Sequence, residues 1–485
     1  MIDPEVRDGA RLGASAYSPS LERVVRTINV WSDCRYPLLR AEGAVIATPP
    51  FQRLRRLRQM GLAFHAWANA ENTRASHSLG VAYWSSQYLE ALRRVPDATT
   101  QAGLAWADAS VEGLSFGVVL RLYALLHDID LLPLGHTLRY QSGLFGEPQG
   151  RPRLRASIAA IKAHAGHTFD QGATVAELTA FERHLDAAGD ALAGEDDSRC
   201  RLPVEIVNSG LGADLFDFAL RDSFAIGRPQ AVHGELLGAL RLVEIEGGFG
   251  LALDVGDVTD YATAARRVAM ADDLYRARFE IFAASVFHPV KLAADAMLDF
   301  ALRRLGAEAR ADLLPEACLL SLGDDEFLDR VAGAEGAAAR RIGAESIAAA
   351  LQAGRLHEEV WRTEDLAAFR GRADAPRALA LSPEWRNEAE AALLARLPWA
   401  ASGDLIVAVS PPTMQAKPAN ARFVGPGGEV FTLAEASAHG FATKVDETTA
   451  RYDRLWSLRV YLAPRVRSQP GAVAAAAAAT FGVEG

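Results

Sequence analysis

The chain contains 485 residues, half of them hydrophobic, and its formal net charge is −10 at pH 7. This length exceeds a typical single core, so we expect two or more domains, and the acidic balance argues against general nucleic-acid binding. The scattered Cys34, Cys200 and Cys318 argue against a disulfide framework or a cysteine-based zinc site. Because no apolar signal core or membrane-length run is present, we expect a cytoplasmic protein that binds no membrane.

In chain order, the hydrophobic pattern predicts a mainly α-helical protein with a smaller α+β region near the C-terminus. Residues 1–50 form an N-terminal arm with a strand or two, and 51–306 form a helical core. Residues 307–400 are a further helical region. Alternating apolar runs broken by Gly and Pro predict an α+β assembly region at 401–467, and the Ala-rich residues 468–485 are predicted to be a disordered tail.

Four arginines crowd the start of the helical core, in the stretch F-Q-R-L-R-R-L-R-Q-M: Arg53, Arg55, Arg56 and Arg58. One interpretation is a solvated helix face. The other is an anion-binding cluster for phosphates, since guanidinium groups bind phosphate oxygens in pairs. The sequence leaves both interpretations open.

The dipeptide His127-Asp128 ends an apolar, helix-like run, L-Y-A-L-L-H-D. An imidazole and an adjacent carboxylate together suit a divalent metal ion. His77 in T-R-A-S-H-S-L-G-V and Asp214 in A-D-L-F-D-F-A-L-R-D-S supply further ligands, although His77 alone is also compatible with an ordinary buried histidine. We predict that these four residues bind one divalent cation (Mn, Fe, Zn, Co, Ni or Mg), with coordination positions left for water and a substrate oxygen.

The segment around Asp214 can be placed on a helical wheel. At about 100° per residue, Asp214, Asp217, Phe218, Arg221 and Asp222 fall within one arc of roughly 140°. This arc fits a surface helix with an i,i+4 Asp217–Arg221 pair. It fits equally well a charged face turned toward a polar cleft, with Asp214 bound to the metal.

These motifs, in this order, resemble the HD-domain phosphohydrolases, and in particular the branch with bacterial dNTP triphosphohydrolases and the sterile-alpha-motif HD dNTPase of animals. The resemblance extends from about residue 46 to residue 304 and includes T-P-P-F-Q-R-L-R-R-L-R-Q-M-G-L-A and V-F-H-P-V-K-L-A-A-D-A-M. It implies an HD-domain helical core, hydrolysis of a nucleotide with release of triphosphate from a dNTP, and a homo-oligomer.

The resemblance also implies roles for residues around the metal. Arg74 would face the phosphates, and Arg278 with His288 would hold the phosphates or the sugar. Asp222 would contact the sugar, and His136 would assist proton transfer.

The chain departs from the family pattern at several positions. Asp130 replaces the usual glycine of H-D-x-G-H and Leu131 replaces its second histidine, while Leu215 and Phe218 stand where a lysine and an aromatic hydroxyl are expected. Asp130 is either a polar residue at a helix end or a repurposed carboxylate that acts as a general base or as an additional metal ligand. A later H-E pair is not clear, and its candidates are Glu177 with Ala176 in the histidine position, or His164 and His167 as substitutes.

Three functions follow from this pattern. The first is a metal-dependent phosphohydrolase acting on a nucleotide, with Asp130 or His136 transferring the proton. The second is a nucleotide-sensing protein that keeps the metal but has lost efficient catalysis, as the leucines at 131 and 215 suggest. The third is an HD-type di-iron oxygenase, which needs additional histidine ligands such as His136, His164 or His167.

Overall fold

The computed structural model describes residues 20–31, 34–111, 113–135, 137–138, 144–145, 151–169, 173–194, 201–229, 234–256, 261–341, 345–364, 382–410, 419–425, 427–467 and 469–482. The helices in this part of the chain are α1 (Arg40–Ile46), α2 (Pro49–Arg53), α3 (Arg74–Arg94), α4 (Ala98–Ser110), α5 (Phe116–Leu126), α6 (Pro152–Thr168), α7 (Val175–Ala193), α8 (Arg201–Asn208), α9 (Ala213–Ala225), α10 (Glu235–Ala239), α11 (Tyr261–Ala284), α12 (Pro289–Leu305), α13 (Ala307–Leu313), α14 (Glu316–Leu319), α15 (Asp324–Arg341), α16 (Ile347–Gln352), α17 (Pro383–Arg396), α18 (Val445–Asp453) and α19 (Pro470–Phe481).

The strands are β1 (Val24–Trp31), β2 (Cys34–Leu39), β3 (Leu240–Ile245), β4 (Gly248–Asp254), β5 (Glu358–Thr363), β6 (Leu405–Val409), β7 (Arg422–Val424), β8 (Val430–Thr432) and β9 (Leu458–Leu462). Short 3-10 turns occupy Leu54–Arg56, Gly61–His65, Ala436–His439 and Pro464–Val466. The protein is therefore mainly α-helical with a smaller α+β region, as the sequence predicts, and the N-terminal arm contains the expected strands.

The largest core forms where α3, α5 and α9 pack together. Every residue of α5 is buried, which explains why its sequence is apolar on all sides. On the facing helices, the rings of Trp84 and Phe216 meet edge to face with centroids 5.0 Å apart, and the Tyr88 hydroxyl donates to the Leu211 carbonyl at 2.8 Å. This packing brings together the ends of α3, α5 and α9 that carry the predicted metal ligands.

The strands form three small sheets. Strands β1 and β2 pair antiparallel, β5, β9 and β6 form an antiparallel sheet in that order, and β3, β4, β7 and β8 form a four-stranded sheet in which β4 and β7 run parallel. The four-stranded sheet combines strands from both sides of the predicted boundary at residue 401. Strands β3 and β4 come from the predicted helical core, and β7 from the C-terminal region pairs with the open edge of β4. The C-terminal region is thus partly built into the helical core.

The predicted disordered tail is wrong over Pro470–Phe481, which forms α19. Alanine is the strongest helix former, and Pro470 occupies a first-turn position where its missing N–H costs nothing. Val473 and Ala477 are fully buried against the β5–β9–β6 sheet, and Phe481 stacks on Trp361 with centroids 5.3 Å apart. Tertiary packing of this apolar face gives the alanine run a fixed position.

The structure divides the arginine cluster. Arg55 and Arg56 are exposed, as a solvated helix face predicts, whereas Arg53 is buried and donates to the carbonyls of Leu131, Leu319 and Leu322. Arg56 pairs with Glu326, and the guanidinium of Arg58 binds Glu71 at 2.7 Å and Asp325 at 2.8 Å. Arg53, Arg56 and Arg58 therefore bind protein oxygens and join the start of the core to the segment around α15.

Among the residues that the structure describes, no single helix has the length and apolar character needed to cross a membrane. Helices α11 and α12 meet those two criteria only when taken together, and they are bent by 62° at the break between them. Both contribute buried residues to the interior, including Leu274 and Met297.

Candidate metal centre

Three helix ends deliver the four predicted ligands. Thr73 caps α3 by accepting a hydrogen bond from the Ser76 amide, which places His77 in the first turn of the helix. His127 is the C-cap residue of α5, with Asp128 directly after it. Asp214 lies in the first turn of α9, where the helix dipole favours a carboxylate.

The four side chains converge. One potential ligand atom from each of His77, His127 and Asp128 lies within 4.8 Å of the others. The two imidazole Nε2 atoms are 3.3 Å apart, and Asp214 Oδ1 is 3.1 Å from Nε2 of His77. Asp128 Oδ2 lies 3.6 Å from Nε2 of His127. The structure therefore brings His77, His127 and Asp128 into one cluster and places Asp214 beside it, in contact with His77.

Outer contacts determine which nitrogen of each histidine faces the centre. His77 Nδ1 lies 2.8 Å from Asp217 Oδ2, and His127 Nδ1 lies 2.7 Å from the Ala124 carbonyl oxygen. Because a carbonyl oxygen and an ionised carboxylate only accept, this network assigns the proton to Nδ1 in both rings. When both rings are neutral, both Nε2 lone pairs therefore point into the centre, an arrangement typical of metal-binding histidines.

This donor set fits a divalent cation. With neutral imidazoles, two Nε2 lone pairs and the carboxylates of Asp128 and Asp214 bring acceptor atoms close together, so a positive charge among them is favourable. In the metal-free protein a proton on His77 supplies that charge. Burial works against this proton, but hydrogen bonds to Asp214 and Asp217 outweigh it and raise the pKa of His77 to about 10.

Asp217 is a further residue of the candidate site, which the helical wheel placed on the same arc as Asp214 but did not single out. It is 2% exposed and accepts from both Nε and Nη2 of Arg221 at 2.8 Å, so the predicted i,i+4 pair exists but is buried. Burial opposes ionisation of Asp217, yet Arg221 and His77 hold the pKa of its carboxyl below the usual range. The surface-helix interpretation is therefore wrong.

A glycine makes room for this carboxylate. A Cβ atom on Gly80, one turn after His77 in α3, would lie 1.8 Å from Asp217 Oδ1. Only glycine lets α3 and α9 approach closely enough for Asp217 to reach His77. Since Gly80 lies in the motif T-R-A-S-H-S-L-G-V, the close contact has a signal in the sequence.

Arg74 binds Asp128 in the structure. Its Nη1 donates to Asp128 Oδ2 at 2.7 Å and its Nη2 donates to the Gln59 carbonyl at 2.8 Å. Burial opposes the charge on Asp128, but His127, Arg74 and His77 outweigh it and hold the pKa of the carboxyl well below its usual range. Arg74 thus keeps a metal ligand ionised, and its buried Nε has no partner among the described protein atoms.

Asp222 lies on the same arc of α9 as Asp214. It is 2% exposed, and its Oδ1 accepts from Asn72 Nδ2 at 2.8 Å. Burial raises the pKa of Asp222 to about 6, despite the nearby positive charges of His77 and Arg74. A carboxylate that is costly to ionise, this close to the centre, is typical of a functional position.

The other predicted substrate residues differ in position. Arg278 is half-buried next to Phe282, with its guanidinium 4.3 Å from the ring centroid, and its Nη1 lies 3.3 Å from the Tyr452 hydroxyl. Burial lowers the pKa of Arg278, while the charge of Asp214 acts against this shift. His288 caps α12 by accepting from the Val290 amide, and no contact between described residues joins it to the four ligands.

Of the two predicted proton-transfer residues, the structure describes Asp130 but not His136. Asp130 forms an ion pair with Arg151, 3.0 Å from Oδ2 to Nη2, which gives its negative charge a protein partner. Its Oδ1 is buried without a hydrogen bond from the described protein atoms.

Three of the positions that depart from the family pattern are apolar, and two of them are buried. Leu131 and Leu215 are 3% and 8% exposed, and Phe218 packs on Phe282 with ring centroids 5.6 Å apart. In the H-E candidate, Glu177 closes a capping box with Thr174.

The remaining histidines do not extend the cluster. His164 Nδ1 donates to the carbonyl of Ala160 in its own helix. In the part of the chain that the structure describes, the cluster of possible metal ligands consists of His77, His127 and Asp128, with Asp214 beside it. Neither His164 nor His167 belongs to this cluster.

Comparison with known proteins adds sequence relatives. No protein-family model matches the chain. It is 25% identical over 269 residues to the uncharacterized protein MJ1154 of Methanocaldococcus jannaschii, a match covering 56% of this chain and 47% of that protein. It is 24% identical over 262 residues to the uncharacterized protein YwfO of Bacillus subtilis, covering 54% of this chain and 51% of that protein. The chain therefore spans about half the length of these curated relatives, which assign it no activity.

Proposed function

We propose that the protein is a metal-dependent phosphohydrolase acting on a nucleotide or a related phosphate ester. The observation that carries this proposal is the cluster of His77, His127 and Asp128 with Asp214 beside it, in which the Nδ1 atoms of the two histidines are held by Asp217 and the Ala124 carbonyl. Such outer contacts are a usual feature of metal-binding histidines, and the resemblance to HD-domain phosphohydrolases supports the same assignment.

His77, His127, Asp128 and Asp214 would hold the cation. When bound, a divalent cation in such a site lowers the pKa of a water molecule and polarises a phosphoryl oxygen. The chain's own residues supply the rest of the site. Asp217 orients His77 and Arg74 keeps Asp128 ionised, so the ligands are held in place before substrate arrives.

Polar atoms near the centre support a nucleotide-like substrate. Arg74 Nε is a buried donor without a partner, and Asn72 Oδ1 is an acceptor without one, among the described protein atoms. Asp222 lies beside Asn72, and the half-buried Arg278 brings a positive charge near Asp214. Donors and a cation suit phosphate oxygens, while the acceptors suit sugar hydroxyls. We further propose that the protein acts in the cytoplasm as a homo-oligomer.

A nucleotide-binding protein with weakened catalysis is the second candidate. It is favoured by the buried leucines at 131 and 215, where the resembling family has a histidine and a lysine, and by the pairing of Asp130 with Arg151.

Phosphate release from a panel of nucleotides, with Mn, Co or Mg added to the purified full chain, separates the two candidates. Release that Asp128→Asn abolishes and Asp325→Asn leaves intact supports the enzyme, since Asp325 is a surface residue outside the centre. No release, together with nucleotide-dependent thermal stabilisation, supports the binding protein. The absence of both effects contradicts both candidates.

A further inference from the structure

Asp324, the first residue of α15, is a buried carboxylate with two backbone partners. Its Oδ2 accepts from the amide of Arg58 at 2.7 Å, and its Oδ1 accepts from the amide of Leu134 at 2.6 Å. The side chain is fully buried, and it joins two segments that are 76 residues apart in the chain (134 − 58 = 76). One side chain thereby fixes the distance between them.

These two segments enclose the guanidinium of Arg74. The residue after Arg58 is Gln59, whose carbonyl accepts from Arg74 Nη2 at 2.8 Å. The residue after Leu134 is Gly135, where a Cβ atom would lie 2.9 Å from the same Nη2. Arg74 therefore lies between the two segments that Asp324 holds, and its other nitrogen, Nη1, binds the metal ligand Asp128.

The segment at Leu134 and Gly135 has a backbone conformation that needs stabilising contacts from elsewhere in the protein. Leu134 has φ = +57° and Gly135 has φ = +51°, so the backbone is left-handed at both residues. A leucine is strained in this region because its Cβ approaches the following carbonyl oxygen. Such a conformation persists only where the surroundings determine it, and the bond from the Leu134 amide to Asp324 is one such contact.

We propose that Asp324 is a positioning residue of the metal centre. By binding the amides of Arg58 and Leu134, it fixes the spacing of the two segments that enclose Arg74 and so directs the Arg74 guanidinium to Asp128. This inference rests on the proposed function only in that the four ligands bind a metal. It links the region around α15, nearly two hundred residues further along the chain, to the ligand geometry (324 − 128 = 196).

The first test is a cobalt(II) titration of the full chain against a competing chelator. Asp324→Asn keeps the shape but replaces one acceptor oxygen with a donor, and Asp324→Ser keeps a single acceptor in case the first variant folds poorly. Glu335→Gln is the matched control, because Glu335 is a fully buried carboxylate of the same helix that binds Arg304, Ser346 and the Ala348 amide instead. We expect about tenfold weaker cobalt binding for the Asp324 variants and wild-type affinity for the control.

A double-mutant cycle with Arg74→Lys tests whether Asp324 affects metal binding through Arg74. This lysine keeps the charge but cannot bind Asp128 and the Gln59 carbonyl with one planar fork. If Asp324 acts through Arg74, Asp324→Asn adds little to the loss already caused by Arg74→Lys. Wild-type affinity in the Asp324 variants, or losses that multiply fully in the double variant, would overturn the proposal.

Hydrogen exchange on metal-free protein tests the role of Asp324 without requiring metal binding. We expect the peptides containing Gln59 and Leu134 to exchange faster in Asp324→Asn than in Glu335→Gln, because the segments lose their shared anchor. Equal exchange in the two variants counts against the inference. If the wild-type chain binds no cobalt, the proposed function fails, while the exchange data still decide the role of Asp324.

Discussion

Asp217 holds the imidazole of His77 through a 2.8 Å contact between Oδ2 and Nδ1, and Asp217 itself is held by Arg221 through two further 2.8 Å bonds. These contacts run from Arg221 through Asp217 to Nδ1 of His77, the ring nitrogen opposite the one that faces the centre. They make the orientation of His77 a property of α9, the same helix that provides Asp214.

We expect Asp217→Asn to weaken metal binding about 10- to 100-fold while the protein still folds. An asparagine whose amide group faces Nδ1 favours the tautomer with its proton on Nε2, which removes the lone pair from the centre. Cobalt titration against a competing chelator measures the loss. A surface substitution, Asp325→Asn, provides the control, and equal affinity in both variants would show that Asp217 does not orient the ligand.

Metal affinity should rise with pH because cation and proton compete for His77. The folded pKa of about 10 lies above the ordinary value near 6.5, so the protonated imidazole stabilises the metal-free protein fully below pH 6.5. That stability is lost as the pH rises through 10. Between these limits metal binding displaces a proton, and affinity should increase up to tenfold per pH unit. Calorimetry in two buffers of different ionisation enthalpy measures the release, and a binding enthalpy that is the same in both buffers would contradict it.

Asp222→Asn should stabilise the metal-free protein at pH 7.5 by about 1–3 kcal/mol while lowering any activity. The folded pKa of Asp222, about 6, lies above its ordinary value of 3.8, so its contribution to stability is fully present below pH 3.8 and is lost as the pH rises through 6. The asparagine carbonyl still accepts from Asn72. Denaturant unfolding at pH 7.5 and pH 4 tests this, and a gain of the same size at both pH values would refute the burial argument.

The metal ligands could be predicted from the sequence because each lies in a short motif at a helix end. Asp217 and Gly80 carried weaker signals, since their roles depend on how closely α3 and α9 approach. Asp324 could not be found this way, because its partners at residues 58 and 134 are distant in sequence and are bound through backbone amides, which no residue type marks. The alanine-rich end was mispredicted for a related reason: its helix depends on contacts with Trp361 and the β5–β9–β6 sheet.

Gly80→Ala should be among the most damaging single-methyl changes in the protein. The new Cβ would lie 1.8 Å from Asp217 Oδ1 and 2.6 Å from Arg221 Nη2, so the buried ion pair must move away from His77. We expect a loss of about 3 kcal/mol or more in unfolding free energy, together with weaker cobalt binding. Gly333→Ala is the matched control, because Gly333 lies within α15 with open space around it, and there alanine should add up to about 1 kcal/mol. Chemical denaturation measures the unfolding free energy of both variants. Similar losses in the two would mean that α3 and α9 are not held at the separation that the Asp217–His77 contact requires.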